Sequence, residues 1–464
     1  MNRQKKIDIS IDETLKYEGA TFNVGTLMFA TIVSSTLGII VQSLIAKYFG
    51  VGRITDAYFM ALNTTTVFFE KLLMMGPLGI VFMPIFIEYL NKKKDKVWNM
   101  TNNLFNIITV SALIIVIGVI IFTHLLVSIM APGFDTENRI LTIKLVRVLF
   151  PANIFVLLST FLISILNSLK QFKFHALISL LSAPIIIITL LLGVANLGIY
   201  SLVYGFMIGS FLQFFLLFII VSKRGLQYRF SIDLKHPAAK EFIKLMVPFV
   251  IGAVAIQLSM IVHNRLASQQ NIGDLSTLTY ATKIYHVIYL IFLTSIAKVF
   301  FPSIAHKIST NDKEDLTDMI GKGLRMTVFI ISPVIVGLII LRIPIIRLLF
   351  ERGSFISKDT QLTALILMVF AIGLIPCGCM SLLSQIPMAF KDSKSIVRIG
   401  VFSQFIAIGL NFLFVRFWGI VGLSLTASVL PIFVSSLYFF NLKKRISNLK
   451  NIILDTIYIK IIFI

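Results

Sequence analysis

The sequence predicts an all-α polytopic membrane protein of about twelve transmembrane helices, in two six-helix lobes related by a parallel repeat around a central cavity. Three observations carry that prediction. Of the 464 residues 57% are hydrophobic, and the mean hydropathy is +0.93. The apolar residues fall into runs of membrane-crossing length, separated by short basic connections. The chain also repeats itself at an offset of about 220 residues, as two lobes of the same topology would.

Twelve segments can be drawn, roughly 25–48, 57–89, 102–130, 141–168, 174–196, 199–222, 243–268, 276–304, 324–346, 361–389, 396–416 and 419–441. The first 24 residues are polar and mixed in charge, without the short apolar run and small-residue cleavage site of a signal peptide, so the first apolar run is expected to stay as a helix. A net charge of +21 is compatible with nucleic-acid binding, but the basic residues lie mainly in short loops. Lys92, Lys93, Lys94, Lys96, Lys223, Arg224, Arg229, Lys307, Lys313, Lys391, Lys394, Lys443, Lys444 and Arg445 fall on one side. Arg53, Arg139, Arg347, Arg352 and Lys358 are most of those on the other. The positive-inside bias then puts both termini in the cytoplasm. The expected organisation is a cytoplasmic N-terminal segment 1–24, an N-lobe 25–222, a cytoplasmic linker 223–242, a C-lobe 243–441 and a short basic tail 442–464. The closing run NIILDTIYIKIIFI is too short to span.

The repeat rests on three correspondences. Met83-Pro84 near the end of segment two matches Phe301-Pro302 near the end of segment eight. Lys170-Gln171-Phe172-Lys173 after segment four matches Lys391-Asp392-Ser393-Lys394 after segment ten. Gly198-Ile199 matches Gly419-Ile420 at the start of segments six and twelve. The shared offset, rather than any one match, makes the argument.

Segment two holds the most telling charges. An unbroken helix from Asp56 to Tyr89 would be about 50 Å long against a bilayer core of about 30 Å, so it must kink, tilt or project, with Gly76, Pro77 and Pro84 as break points. Glu70 and Lys71 fall near its middle. A charge there costs on the order of 3 kcal/mol or more and is expected to face water or a partner. Neighbours on a helix point about 100° apart, so the two do not simply pair with each other. Lys283 lies in segment eight, the repeat counterpart of segment two. Lys47, Arg147 and Arg265 lie near segment ends, where snorkelling is the plain reading; Lys298 lies within segment eight. His263 and His286 read as structural, with a protonatable coupling group as the alternative.

Other chemistry is excluded by what the sequence lacks. There is no GxxxxGK[ST], HExxH or GxSxG, and the longest polar connections, near 223–242 and 306–323, are too short for a catalytic domain. Cys377 and Cys379 form a CGC in an apolar run, without metal or redox spacing. Asp312, Glu314, Asp315 and Asp318 are neutralised by Lys307, Lys313 and Lys322 and read as a solvated face. A membrane glycosyltransferase would need carboxylates on a sizeable outer loop, and none is evident. The chain is expected not to be an enzyme.

These stretches resemble the MurJ (MviN) family of lipid-linked peptidoglycan-precursor flippases, in the multidrug/oligosaccharidyl-lipid/polysaccharide exporter superfamily. The matching stretches are LGIIVQSLIAKYFGVGRITDAYFMA (37–61), FMPIFIEY (82–89), APGF (131–134), FPANIFVLLSTFLISILNSLKQF (150–172), NRLAS (264–268), LSTLTYATKI (275–284) and LLFERGSF (348–355), in family order along nearly the whole chain. The resemblance implies two six-helix lobes that open alternately to either side. The family's arginines of segment one are replaced here by Thr36 or Ser35 and by Val41. The arginine of segment two falls near Phe69 or Glu70, with Lys71 beside it; the basic residue of segment eight is Lys283; and Asn264 stands where an aspartate is usual. Asp56 and Arg265 are kept. Lysine meets a phosphate as a point charge, whereas arginine grips it bidentately.

On this reading the chain is a flippase for an undecaprenyl-pyrophosphate-linked precursor, lipid II first, across the bacterial cytoplasmic membrane. A flippase for another lipid-linked polysaccharide unit, or a cation-coupled drug exporter of the same superfamily, is the alternative. Lys71, Lys283, Arg265 and Lys47 are the candidate substrate contacts. Glu70, Asp56 and Asn264 are candidate coupling or structural groups, and Arg352 and Gly353 belong to the LFERGxF motif. No catalytic or metal residue and no cofactor is expected; a coupling ion, H+ or Na+, or the membrane potential is the candidate energy source. The expected partners are the lipid-linked substrate, the membrane and proteins of cell-envelope synthesis, with no nucleic acid, and the expected state is a monomer.

Overall fold

The structure, a computed structural model, describes residues 20–67, 75–171, 174, 177, 178, 180–310, 313–390 and 392–443, and all regular structure among them is helical. In chain order the helices are α1 (Ala20–Phe49), α2 (Arg53–Thr65), α3 (Met75–Lys92), α4 (Val97–Met130), α5 (Thr136–Ser168), α6 (Ser182–Leu197), α7 (Tyr200–Lys223), α8 (Pro237–Ser268), α9 (Asp274–Ile288), α10 (Thr294–Ser309), α11 (Lys313–Phe350), α12 (Ser357–Ile372), α13 (Leu374–Ala389), α14 (Ser393–Trp418) and α15 (Ile420–Lys443). Eight of the described helical stretches are long and apolar enough to cross a membrane, and α12 with α13, bent by 43° at Gly373, make a ninth. The apolar α6 is shorter, at 16 residues. The predicted segment two runs through α2 and α3, with residues 68–74 outside the described part.

The described residues form two compact units. One takes α1 up to Leu44 together with Ala57–Gln257; the other takes Ile45–Asp56 and the chain from Leu258. The boundary between these units falls within α8, and a twelve-residue piece of the first half, Ile45–Asp56, belongs to the second unit.

In the first unit α5 packs against α3, α4 and α7, and α7 packs against α6. Aromatic rings fill the centre, with Phe82 and Phe161 4.4 Å apart and Phe86 against Trp98 at 5.9 Å. Helix α5 starts because Asp135 caps it, its carboxylate accepting the Asn138 N–H at 2.8 Å. Helix α4 opens with three buried asparagines that hold the connection after α7. Asn102 donates to the Gln227 carbonyl (2.7 Å), Asn106 to those of Arg229 (3.0 Å) and Ser231 (3.1 Å), and Asn103 to that of Asp233 (2.9 Å). In return Asn103 Oδ1 accepts the Asp233 N–H at 2.6 Å, and Asn106 Oδ1 accepts the Tyr228 hydroxyl at 3.1 Å.

In the second unit α15 packs against α13 and α14, and α9 packs against α12. One core cluster joins Ile304 of α10, Leu316 and Ile320 of α11, Leu382, Leu383 and Ile386 of α13, and Tyr438 of α15. Where lipid is as apolar as the side chains, such contacts hold through packing rather than water exclusion.

The sequence repeat is written in the backbone. Helix α6 ends at Gly198 with φ, ψ of 52°, −131°; helix α14 ends at Gly419 with 54°, −135°. In each case the glycine carbonyl accepts an N–H three residues on, from Ser201 (3.1 Å) and Gly422 (3.0 Å). Only glycine adopts this conformation readily, so the same turn demands the same residue twice. The long helices of segments two and eight match as well. Each carries an internal proline, Pro84 and Pro302, and each turns π-helical, at 66–67 and at Tyr289–Leu293. Such turns mark functional positions in helices more often than chance.

Candidate functional site

The site lies in the second unit and begins with the short segment lent to it by the first half. Helix α1 closes at Gly50, whose φ is +62° and whose N–H bonds the Ala46 carbonyl at 2.9 Å. The last carbonyls of the helix are then capped from two sides. Ser354 donates its N–H to the Lys47 carbonyl (2.9 Å) and its hydroxyl to that of Tyr48 (3.3 Å), and the Tyr280 hydroxyl donates to the Gly50 carbonyl (3.0 Å). Tyr280 is fully buried between Phe350, 5.0 Å away, and Phe355, 5.5 Å away. Gly353 has φ of +61°, and a side chain on it would run into the Lys47 carbonyl. Gly353→Ala is therefore expected to destabilise the fold by about 1–3 kcal/mol, through both strain and collision. A thermal-unfolding midpoint equal to that of the unsubstituted protein would contradict it.

Asp56 closes the arrangement. It sits in the first turn of α2, 2% exposed. Its carboxylate accepts the Gly273 N–H at 2.6 Å and the Ser276 N–H at 2.8 Å, together with the Ser276 hydroxyl. Those N–H groups belong to the start of α9, which has no side-chain cap of its own. Asp56 thus supplies from 217 positions away the N-terminal cap that a local aspartate would normally give, with its negative charge at the positive end of the helix.

The helix so held carries the charge of interest. Along α9, Thr279, Thr282, Lys283 and His286 recur at helical spacing, and the last three are exposed, while Leu278, Tyr280, Ala281 and Ile284 are buried. Thr279 and Thr282 satisfy their hydroxyls on the carbonyls of Leu275 and Leu278. The helix therefore turns a polar, cationic stripe outward within a candidate membrane span. A charged group within a span is costly unless it meets water, a partner or a ligand. Lys283 stands about 14 Å along the helix from Asp274, at about 1.5 Å per residue.

The other predicted residues fall as follows. Lys47 is exposed at the end of α1, its Nζ 5.1 Å from the Tyr48 ring centre. Arg265 is exposed in the last turn of α8, and Asn264 beside it is buried, donating to the Met260 carbonyl at 2.9 Å. Arg352 is exposed and caps its own helix through the Leu348 carbonyl. Its neighbour Glu351 accepts the Thr360 hydroxyl (2.7 Å) and binds Arg347 (3.2 Å), which together hold its carboxyl below the usual range. Glu70 and Lys71 lie outside the described residues. Asp56, Lys47 and the Arg352-Gly353 turn are thus brought to one junction, and Lys283 to the helix that this junction caps. Ser276, Gly273, Tyr280 and Ser354, which the sequence did not single out, complete it.

Residues 45–464 match the family model described as lipid II flippase MurJ. The chain belongs to the MurJ lipid II flippase family. It is 32% identical over 400 residues to the lipid II flippase MurJ of Thermosipho africanus, covering 86% of this chain and 81% of that one. It is 29% identical over 406 residues to the probable lipid II flippase MurJ of Rickettsia prowazekii, covering 87% and 80%. Among solved structures it resembles a lipid II flippase MurJ in an inward closed conformation, with TM-score 0.79 and 30% identity over 90% of this chain and 87% of the other. It also resembles an inward-facing multidrug resistance MATE transporter of the MOP superfamily, with TM-score 0.74 over 96% and 99% of the chains. At 14% identity that second likeness shows the fold alone. This MurJ-family chain is an all-α membrane protein with the two-lobe architecture of those transporters.

Proposed function

We propose that this MurJ-family chain carries lipid II across the cytoplasmic membrane by alternating access, with both termini in the cytoplasm. The observation that carries the reading is the outward polar stripe of α9, centred on Lys283, in a chain that matches the family from residue 45 onward. A pyrophosphate headgroup is an anion that must pass a medium hostile to charge. Lysines at the right depth lower that barrier as point charges. Lys283 and Lys71 are the groups assigned to the pyrophosphate, with Lys47 and Arg265 as outer contacts, and Glu70 as the coupling group. Without a nucleotide motif, transport draws on an ion gradient or on the membrane potential, where one charge moved through 100 mV supplies about 2.3 kcal/mol.

The test is complementation of a strain depleted of its own lipid II flippase. Growth restored by the chain supports the reading. Failure to restore growth by a chain that is expressed and inserted, together with rescue of a strain lacking a flippase for another lipid-linked glycan, would move the substrate to that class. Topology is checked separately by cysteine labelling in intact cells. A cysteine replacing Ser354, exposed in the loop after α11, is expected to react with an impermeant reagent, and one replacing Lys93 to be protected. The reverse pattern would invert the orientation.

A further inference from the structure

The connection after α7 is a strap clamped to the protein by its edge. Four alternate carbonyls, of Gln227, Arg229, Ser231 and Asp233, point at the buried asparagines of α4. Carbonyls that share a side at every second residue describe an extended chain, in which alternate side chains share a face. Phe230 and Ile232 share one face of the strap at 74% and 43% exposure, and Leu234, in the turn that closes it, is 58% exposed. Beside them lies a basic set: Arg229, on the other face of the strap, Lys235 in its closing turn, Lys223 at the end of α7, and Lys240 and Lys244 on α8, all exposed. Asp233, the strap's own acidic residue, is exposed, and its carboxylate accepts the Lys235 N–H at 2.8 Å. A loop fixed at seven points by hydrogen bonds and a ring contact (Tyr228 lies 6.0 Å from Phe105) nonetheless shows three large apolar side chains outward.

The depth at which this happens decides what covers them. Helix α4 is a candidate span. Its lysine-rich approach, Lys92–Lys96, ends just before it, and its mainly apolar stretch starts at Ile107. The asparagines at 102, 103 and 106 lie between the two, so the strap sits level with the boundary between headgroups and acyl chains. Apolar side chains beside lysines and arginines at that level match a surface of anionic lipid: the chains take the rings and the phosphates take the cations.

We propose that the 227–235 strap is an anionic-lipid docking element, which seats Phe230, Ile232 and Leu234 among acyl chains and Arg229 and Lys235 against lipid phosphates on the basic side of the membrane. The asparagine clamp gives it rigidity, so docking costs little ordering, and it fixes the entry to α8 against the bilayer surface. The partner is the bilayer itself, not a second protein.

The test places the full-length Phe230→Trp protein in bilayers of phosphatidylglycerol or of phosphatidylcholine alone, and reads the added fluorescence against the unsubstituted chain. In phosphatidylglycerol, lipids brominated near the top of the acyl chain are expected to quench the added signal and aqueous iodide to leave it nearly unchanged. Arg229→Gln with Lys235→Gln, or phosphatidylcholine alone, should weaken the bromolipid quenching severalfold. A spin label on Leu234→Cys gives an independent depth, expected to show more collision with oxygen than with an aqueous nickel complex. Iodide quenching without bromolipid quenching at 230, with an aqueous label at 234, would overturn the proposal. So would shielding from both quenchers, which would mean that protein covers the strap. Bromolipid quenching that ignores lipid charge and both basic residues would overturn the anionic-lipid assignment.

Discussion

Asp56→Ala is expected to cost about 3–5 kcal/mol of stability and most of the transport activity. The side chain is buried, and its removal leaves the N–H groups of Gly273 and Ser276 and the Ser276 hydroxyl without their acceptor. Bonds to a charged acceptor are worth roughly 1.5–3 kcal/mol each but do not add fully, which sets the range. Asp56→Asn keeps one acceptor oxygen and should lose less, about 1–2 kcal/mol. Ser276→Ala removes only the hydroxyl and should cost about 1 kcal/mol. The double change Asp56→Ala with Ser276→Ala should be less harmful than the sum of the two, because the groups share one bond. The measurement is the unfolding midpoint in detergent alongside flipping in proteoliposomes. Activity is expected to fall even in the milder variants, since the capped helix is the one that carries Lys283. An Asp56→Ala protein with an unchanged midpoint would show that the cap contributes nothing.

That junction marks the limit of what the sequence made legible. Fold class came through because membrane thickness forces long apolar runs, and eight or nine of them stand as spans among the described residues. The repeat came through at Gly198 and Gly419 because a backbone conformation open only to glycine leaves its trace in the sequence. Asp56 and Gly353 were visible as motif members, but their partners were not. A carboxylate that caps a helix 217 positions away obeys no local spacing, and nothing in GVGRITDA names Gly273 or Ser276. The division of the chain at Leu44 and Asp56 was hidden for the same reason. The asparagines at 102, 103 and 106 were passed over because they open an apolar segment, where a polar cluster reads as a helix end. Their spacing did carry a signal, three amides within five residues, though not the identity of what they hold. The stripe Thr279, Thr282, Lys283, His286 was legible in principle, since its helical period is plain in the sequence once the helix is known.

Lys283→Gln is expected to reduce flipping roughly tenfold to a hundredfold, the loss of one charge-assisted contact to a phosphate at about 1.5–3 kcal/mol. The side chain is exposed on α9, so the neutral amide fits without strain, and the protein should fold and insert as before. Lys283→Arg keeps the charge and should retain much of the activity. A rival account makes Lys283 scaffolding, bridged to Glu70 of segment two. The two accounts part under paired substitution. If Lys283 meets the pyrophosphate, Glu70→Gln with Lys283→Gln stays inactive, because the substrate still lacks its cation. If the pair is a bridge, Lys283→Gln alone leaves a carboxylate without its cation at mid-membrane, and neutralising Glu70 as well relieves that cost. Flipping restored in the double variant would therefore remove Lys283 from the substrate path. Activity lost in Lys283→Gln, kept in Lys283→Arg and still lost in the double variant would place the lysine on the phosphate.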